Sequence, residues 1–118
     1  MSITRLHGSA QGRCRATVYN GLVYAVATDT VGGTTVAEQT ANTLSSLEQN
    51  LIDAGSDKTR IVQATVYLRD MSTKAEMDEA WCSWIGNKEN WPQRACVGTD
   101  LAGDDLVEIV VTAALKES

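Results

Sequence analysis

Histidine, proline, cysteine and basic residues are all sparse in this chain, and each scarcity closes off a class of function. The single histidine is His7. An imidazole zinc site, a Ser-His-Asp triad and a Cys-His dyad each need a histidine set beside its partners, so one near the N-terminus argues against all three. Cys14, Cys82 and Cys96 are odd in number, widely spaced and free of any Cys-x-x-Cys pair. That pattern fits neither a disulfide framework nor a zinc ribbon, and reads as reduced cytosolic thiols. Ten Lys and Arg stand against fifteen Asp and Glu, a net charge of −5. No Lys/Arg cluster offsets the deficit, so a nucleic-acid partner held through its phosphates is not expected. No apolar run approaches the roughly 20 residues that cross a bilayer, and no charged-then-apolar leader is present. Neither a membrane nor a signal peptide is expected, and the expected location is the cytoplasm.

What remains is ordinary globular material. Of 118 residues 43% are apolar and 21% charged, enough for one domain over 1–118 with a real core. Residues 2–6 read as a short edge strand. Ala16-Thr17-Val18-Tyr19 and Leu22-Val23-Tyr24-Ala25-Val26-Ala27 flank Asn20-Gly21, which supplies the two positive-φ residues of a type I′ hairpin turn. Residues 28–35, with Gly32-Gly33, read as a loop. From 36 to 54 the period becomes helical: Thr40, Leu44, Leu47 and Leu51 share one stripe, with Asp, Glu, Gln and Asn opposite. Gly55 stands where a left-handed residue commonly ends a helix.

Residues 61–68 are apolar on both faces, which predicts an interior strand. A second helix is expected over 74–86, with Thr73 and Glu76 as its capping box and Met77, Ala80, Trp81, Trp84 and Ile85 as its buried stripe. Strands at 93–98 and 107–114 complete the order β-β-β-α-β-α-β-β. This is an α+β sandwich, with two helices on one face of a mixed sheet. Two helices cannot cover both faces of so apolar a sheet, so a homo-oligomer is expected to cover the other.

Two charges carry the chemistry. Arg94 follows Pro92-Gln93 at a strand start, and Glu108 interrupts the apolar run Leu106-Val107-Glu108-Ile109-Val110-Val111. A carboxylate there is costly to bury unless paired or set in a wet cleft. Spacing alone leaves two readings open. Glu108 is a general base or water-orienting group and Arg94 a bidentate carboxylate clamp. Otherwise Glu108 sits on a solvent face or pairs structurally with Arg94.

The segments Gly21-Leu22-Val23-Tyr24, Glu38-Gln39-Thr40-Ala41-Asn42-Thr43-Leu44, Ala54-Gly55-Ser56, Val62-Gln63-Ala64-Thr65-Val66-Tyr67-Leu68-Arg69-Asp70, Pro92-Gln93-Arg94-Ala95-Cys96-Val97 and Leu106-Val107-Glu108-Ile109 occur in that order. In this the chain resembles the Rid family of reactive intermediate deaminases, also labelled YjgF/UK114 or endoribonuclease L-PSP. The run 38–44, with Met77-Asp78-Glu79-Ala80-Trp81 and Trp84, looks most like the YoaB-type branch. The resemblance implies a chorismate-mutase-like protomer and a homotrimer with three intersubunit clefts. It implies that Arg94 holds the carboxylate of a 2-imino acid or its enamine tautomer, while the Cys96 backbone and Glu108 orient the attacking water. It further implies a 2-keto acid and ammonia as products, with no cofactor or metal taking part.

Three supporting positions depart from the family pattern. Ala27-Thr28 replaces Ser-Gly, Cys14 stands where an aromatic residue walls the cleft, and Asp78 replaces an asparagine. An added carboxylate would repel a carboxylate substrate. The substrate-binding set is therefore Arg94, Cys96, Asp78, Ala27, Thr28 and Cys14. Cys96 is expected to contribute its backbone, Trp81 and Trp84 to be core, Gly32-Gly33 to be a mobile loop, and His7 an ordinary edge residue. The competing expectation is a binding or regulatory protein that uses the same cleft for small 2-keto acids without turnover. Ribonuclease action, the sense of the family's older label, needs a basic surface that this composition lacks.

Overall fold

Asn20 and Gly21 take φ values of 53° and 80°, and the tight turn they make pairs β2 (Cys14–Tyr19) with β3 (Leu22–Ala27) antiparallel. The computed structural model describes residues 1–117. Ahead of the hairpin, β1 (Thr4–His7) pairs with β2. Then come α1 (Val36–Asp53), β4 (Ile61–Leu68), α2 (Lys74–Ile85), β5 (Gln93–Gly98) and β6 (Val107–Ala114), the order expected. The sheet runs β1-β2-β3-β6-β4-β5. Only β4 and β5 are parallel, joined through α2 because parallel neighbours need a long crossover. β6 inserts between β3 and β4 and pairs antiparallel with both.

Capping fixes α1 at both ends. Thr35 Oγ1 accepts from the Glu38 N–H at 3.1 Å, and Glu38 Oε1 accepts from the Thr35 N–H at 3.2 Å. At the far end Gly55 takes φ 94°. Its N–H donates to the Ile52 carbonyl at 3.1 Å and that of Ser56 to Leu51 at 2.9 Å, a complete Schellman motif. The box expected at Thr73 and Glu76 does not form. Residues Met71–Thr73 already make a 3-10 turn capped by Asp70, whose carboxylate accepts from the Ser72 N–H at 2.9 Å. Thr73 at φ −96°, ψ 7° lacks the extended backbone an N-cap needs. Its hydroxyl donates to the Asp70 carbonyl at 2.6 Å.

The stripe Thr40, Leu44, Leu47 and Leu51 is buried, but so are Gln39 and Asn50, at 4% and 6% exposure. These two were expected on the polar side. Their amides explain the difference, because the oxygen and the nitrogen of each are hydrogen-bonded. Gln39 donates to the Gly33 and Asp104 carbonyls and accepts from the Leu106 N–H. Asn50 donates to the Val26 carbonyl and accepts from Arg15. They tie α1 to the loops entering and leaving the sheet.

Leu44, Leu47 and Leu51 of α1, with Met77, Trp81 and Ile85 of α2, pack onto Val23, Ala64, Val66, Ile109 and Val111. Side chains alternate across a strand, so the neighbouring residues form a second face that no helix covers. Tyr24, Val97 and Val110 on it are 39–44% exposed. No helix of the described residues is long and apolar enough to cross a membrane.

Candidate functional site

Arg94 lies on the edge strand β5 opposite Ala64 of β4, on the side of the helices. The register turns it toward α2, where three contacts hold the guanidinium. Nη2 donates to Asp78 Oδ1 at 2.7 Å, Nη1 lies 3.6 Å from Met77 Sδ, and the carbon of the fork sits 5.3 Å from the Trp81 ring centre. Trp81 is therefore core, as expected, and also a cation–π floor. The other Asp78 oxygen takes 2.7 Å from Lys74 Nζ, one helical turn earlier. Lys74, Arg94 and Asp78 together leave one net positive charge at a part-exposed sheet edge.

Partial burial would raise the Asp78 carboxyl, but the bonds and charges of Lys74 and Arg94 outweigh it and hold it below the usual carboxylate range. Cys96 stands two residues on, its sulfur 4.0 Å from Met71 Sδ. Burial pushes its thiol up, with Arg94 pulling the other way. It is a neutral thiol packed on Met71.

Glu108 stands elsewhere. It pairs with Tyr67 on β4, between buried Val107 and Ile109, so it projects from the uncovered face. Arg94 and Glu108 are two strands and three residues apart on opposite faces, about 14 Å between Cα atoms by strand geometry. The structural pairing left open by the sequence does not occur, since Arg94's partner is Asp78. Continuing the β3–β6 register one step past Ala27↔Ile109 sets Thr28 opposite Glu108. Thr28, Ala27 and Cys14 line one small cleft beside Asn50; Ala27 itself is buried. A single chain thus divides the expected residues into two groups, Arg94/Cys96/Asp78 and Cys14/Ala27/Thr28/Glu108.

The loop at 28–35 is organised by Asp29, whose carboxylate accepts from the N–H groups of Val31, Gly32 and Gly33 at 2.6–3.1 Å. Those amides are occupied, so the glycines make no phosphate cradle. Gly33 is glycine for a steric reason, since a Cβ there would lie 2.9 Å from Glu38 Cβ. Among the described residues no three His, Cys, Asp or Glu side chains converge as a metal ion would require.

Residues 14–115 match the family described as "Endoribonuclease L-PSP". A RutC family protein of Haemophilus ducreyi is 39% identical over 101 residues, which cover 84% of this chain and 86% of that one. The chain belongs to the endoribonuclease L-PSP family. The RutC family protein YoaB of Escherichia coli is 38% identical over 79 residues, 66% of this chain and 68% of its own. A solved YjgF-family structure from Neisseria meningitidis superposes with a TM-score of 0.93 at 35% identity, over 100% of this chain and 98% of that one.

Within this L-PSP-family chain, two features escaped the sequence. The first is the Lys74–Asp78–Arg94–Trp81 arrangement, of which only the i, i+4 spacing of Lys74 and Asp78 was visible. The second concerns His7, expected to be an ordinary edge residue. The β1–β2 register sets it opposite Cys14, with Cys14 Sγ 3.7 Å from His7 Nδ1. The pairing spans only seven residues, but a bulge decides it, and bulges leave little trace in sequence. Arg5, Arg13 and Arg15, all within the first fifteen residues, line the same concavity as His7 and Cys14. Overall composition hides this local run of arginines, of which Arg15 is paired with Asp53.

Proposed function

We propose that this L-PSP-family protein is a cofactor-independent hydrolase that converts 2-imino acids, or their enamine tautomers, to 2-keto acids and ammonia. Arg94 binds the substrate carboxylate, and Glu108 positions the water that attacks the imine carbon. The observation that carries the reading is the state of Arg94. It is a guanidinium presented at a sheet edge, 20% exposed, on an aromatic floor, in a cluster with one net positive charge. Such a fork matches both oxygens of a carboxylate. The division of the expected residues between two regions of one chain supports a site assembled between copies. In a homotrimer, the β5 edge of one copy would face the β2–β3 end or the uncovered sheet face of the next.

The test couples the protein to a pyridoxal-phosphate threonine dehydratase and threonine, and follows 2-oxobutyrate release. Acceleration over spontaneous imine hydrolysis supports the reading. A background rate across several amino-acid-derived imines overturns it.

The Asp78–Arg94 bridge favours a second reading: a small-carboxylate binding protein that uses the same groups without turnover. The clamp is already engaged in the free protein, and Asp78 has to share it with any incoming carboxylate. A rise in melting temperature with 2-keto acids, at background imine turnover, would select this reading, because a ligand that binds only the native state stabilises it.

A further inference from the structure

Asp78 is the acid bridged to the guanidinium that serves as the carboxylate clamp, and its bonding capacity is not exhausted. Oδ1 accepts from Arg94 Nη2 and Oδ2 from Lys74 Nζ, each at 2.7 Å. An ionised carboxylate accepts about four hydrogen bonds, so a lone pair on each oxygen is left over. The side chain is 32% exposed, which keeps those lone pairs within reach of a ligand. Arg94 has capacity too. One of its N–H groups goes to Asp78 and one to Met77 Sδ, and the rest of the fork is unused. A carboxylate bound there shares the guanidinium with Asp78, and a gap separates the two negative groups. Whatever part of the ligand enters that gap meets a carboxylate with Lys74 and Arg94 behind it.

We propose that Asp78 is a specificity-determining residue that biases the clamp toward ligands with a protonated nitrogen beside the carboxylate, favouring the iminium form of a 2-imino acid over its 2-keto acid product. That nitrogen is bonded to the carbon next to the carboxyl group. With the carboxylate on Arg94 it enters the gap and donates to a free Asp78 oxygen, a charge-assisted hydrogen bond. A keto acid brings a carbonyl oxygen to the same place, so an acceptor faces an acceptor. The enamine tautomer, whose nitrogen is neutral, gains less. Lys74 and Arg94 set how much Asp78 matters. Each would repel a cationic nitrogen, but Asp78 touches it while they stand farther off, so the three charges nearly cancel there. Without Asp78, two uncompensated positive charges face the iminium. That the natural ligand is an imino acid rests on the hydrolase reading; the charge preference does not, and binding alone reads it.

The test uses 2-oxobutyrate, 2-hydroxybutyrate and 2-aminobutyrate. They share a chain length and a carboxylate, and near pH 7 only the last carries a cationic nitrogen. Affinities are measured by calorimetry at low salt for the native protein, Asp78→Asn and Lys74→Gln, with melting curves beside them. Asp78→Asn should tighten the keto and hydroxy acids and weaken the amino acid, raising the ratio of amino-acid to keto-acid Kd about tenfold. Lys74→Gln removes a cation and keeps both Asp78 and Arg94. It should move the ratio the opposite way, and it covers the case of a poorly folded asparagine variant. In the coupled imine assay, Asp78→Asn should lower kcat/KM and strengthen inhibition by 2-oxobutyrate. A residue that only supports Arg94 would move all three ligands in one direction. That parallel change, an unchanged ratio in both variants, or no binding of 2-aminobutyrate by the native protein would each overturn the proposal. The expected shift in ratio with background imine turnover would overturn the hydrolase reading alone, and would leave Asp78 as the selector for a carboxylate beside a cationic nitrogen.

Discussion

Asp78→Asn should tighten the binding of a small 2-keto acid, because the free protein holds its carboxylate clamp with a carboxylate of its own. Asp78 Oδ1 lies 2.7 Å from Arg94 Nη2 and its other oxygen 2.7 Å from Lys74 Nζ. A bound carboxylate on Arg94 would sit about 5 Å from that charge, a repulsion of about 0.8–3 kcal/mol between water-like and near-surface dielectric. Asp78 is 32% exposed and Arg94 20%, so the lower end applies, about 1 kcal/mol. Asparagine keeps the shape and one acceptor oxygen. It loses charge assistance to Arg94, and the looser guanidinium returns up to about 0.5 kcal/mol. The net is roughly a three- to fivefold lower Kd for 2-oxobutyrate, read by calorimetry at low salt. The gain should shrink as salt rises toward 1 M, where the screening length falls to about 3 Å, below the separation of the two charges. The cost in stability should be about 2–4 °C in melting temperature. Weaker or unchanged binding would refute the reasoning, and would make Asp78 a positioning group for Arg94 and not its competitor.

Arg94→Lys should bind 2-oxobutyrate nearly as poorly as Arg94→Ala, tenfold or more below the native protein, because an ammonium cannot reproduce the parallel donors of the fork; native-like affinity in the lysine variant would rule out the clamp. Glu108→Gln should fold normally and lose about 100- to 10,000-fold in imine turnover, whereas a full rate with an unchanged melting curve would leave Glu108 without a catalytic part. Gly55→Ala should lower the urea midpoint by the equivalent of about 1–2 kcal/mol at constant slope, since Gly55 has φ 94° and a Cβ would meet Leu115 at 3.3 Å. Asp78 and Asp57 are both held below the ordinary carboxylate range. Partial burial opposes the shift at Asp78 and is outweighed by Lys74 and Arg94, while the Thr59 hydroxyl leads the lowering at Asp57. A lowered folded value gives stability that is present above the unfolded value of about 3.9 and lost as pH falls through the folded one. Melting temperature should therefore hold from neutrality to about pH 5 and decline below about pH 4; a decline beginning near neutrality would contradict this.

Elements whose cause is local were legible in the sequence. Asn20-Gly21 can make only a few turns, and Gly55 after a helical stripe can end it only by going left-handed, so hairpin and helix boundaries fall where expected. Gln93–Gly98 and Val107–Ala114 were read to the residue, because turn residues or polar loops bound each apolar run. The cap at Thr73 failed for a reason of the same local kind, which the pattern could not rank: Asp70 captures the preceding turn first. Gln39 and Asn50 look polar in sequence, yet both are buried because loops distant in sequence bring carbonyls and amides to them.

The candidate site depended on register, which composition does not encode. Whether Arg94 faces α2 and Glu108 the uncovered face follows from which residues of β4 stand beside them, Ala64 for one and Tyr67 for the other. A slip of one residue in either ladder would move that charge to the other face. The same sensitivity explains His7. Without the bulge at Arg15, the register that sets Leu6 opposite Ala16 would pair His7 with Arg15, and Cys14 would point to the helix side. One extra residue in β2 therefore places a thiol beside the only imidazole and frees Arg15 to bind Asp53 across the sheet edge. Changes that realign β1 and β2 should consequently act on Cys14 and on the Arg15–Asp53 bridge together, and leave the Arg94 cluster, four strands away, unchanged.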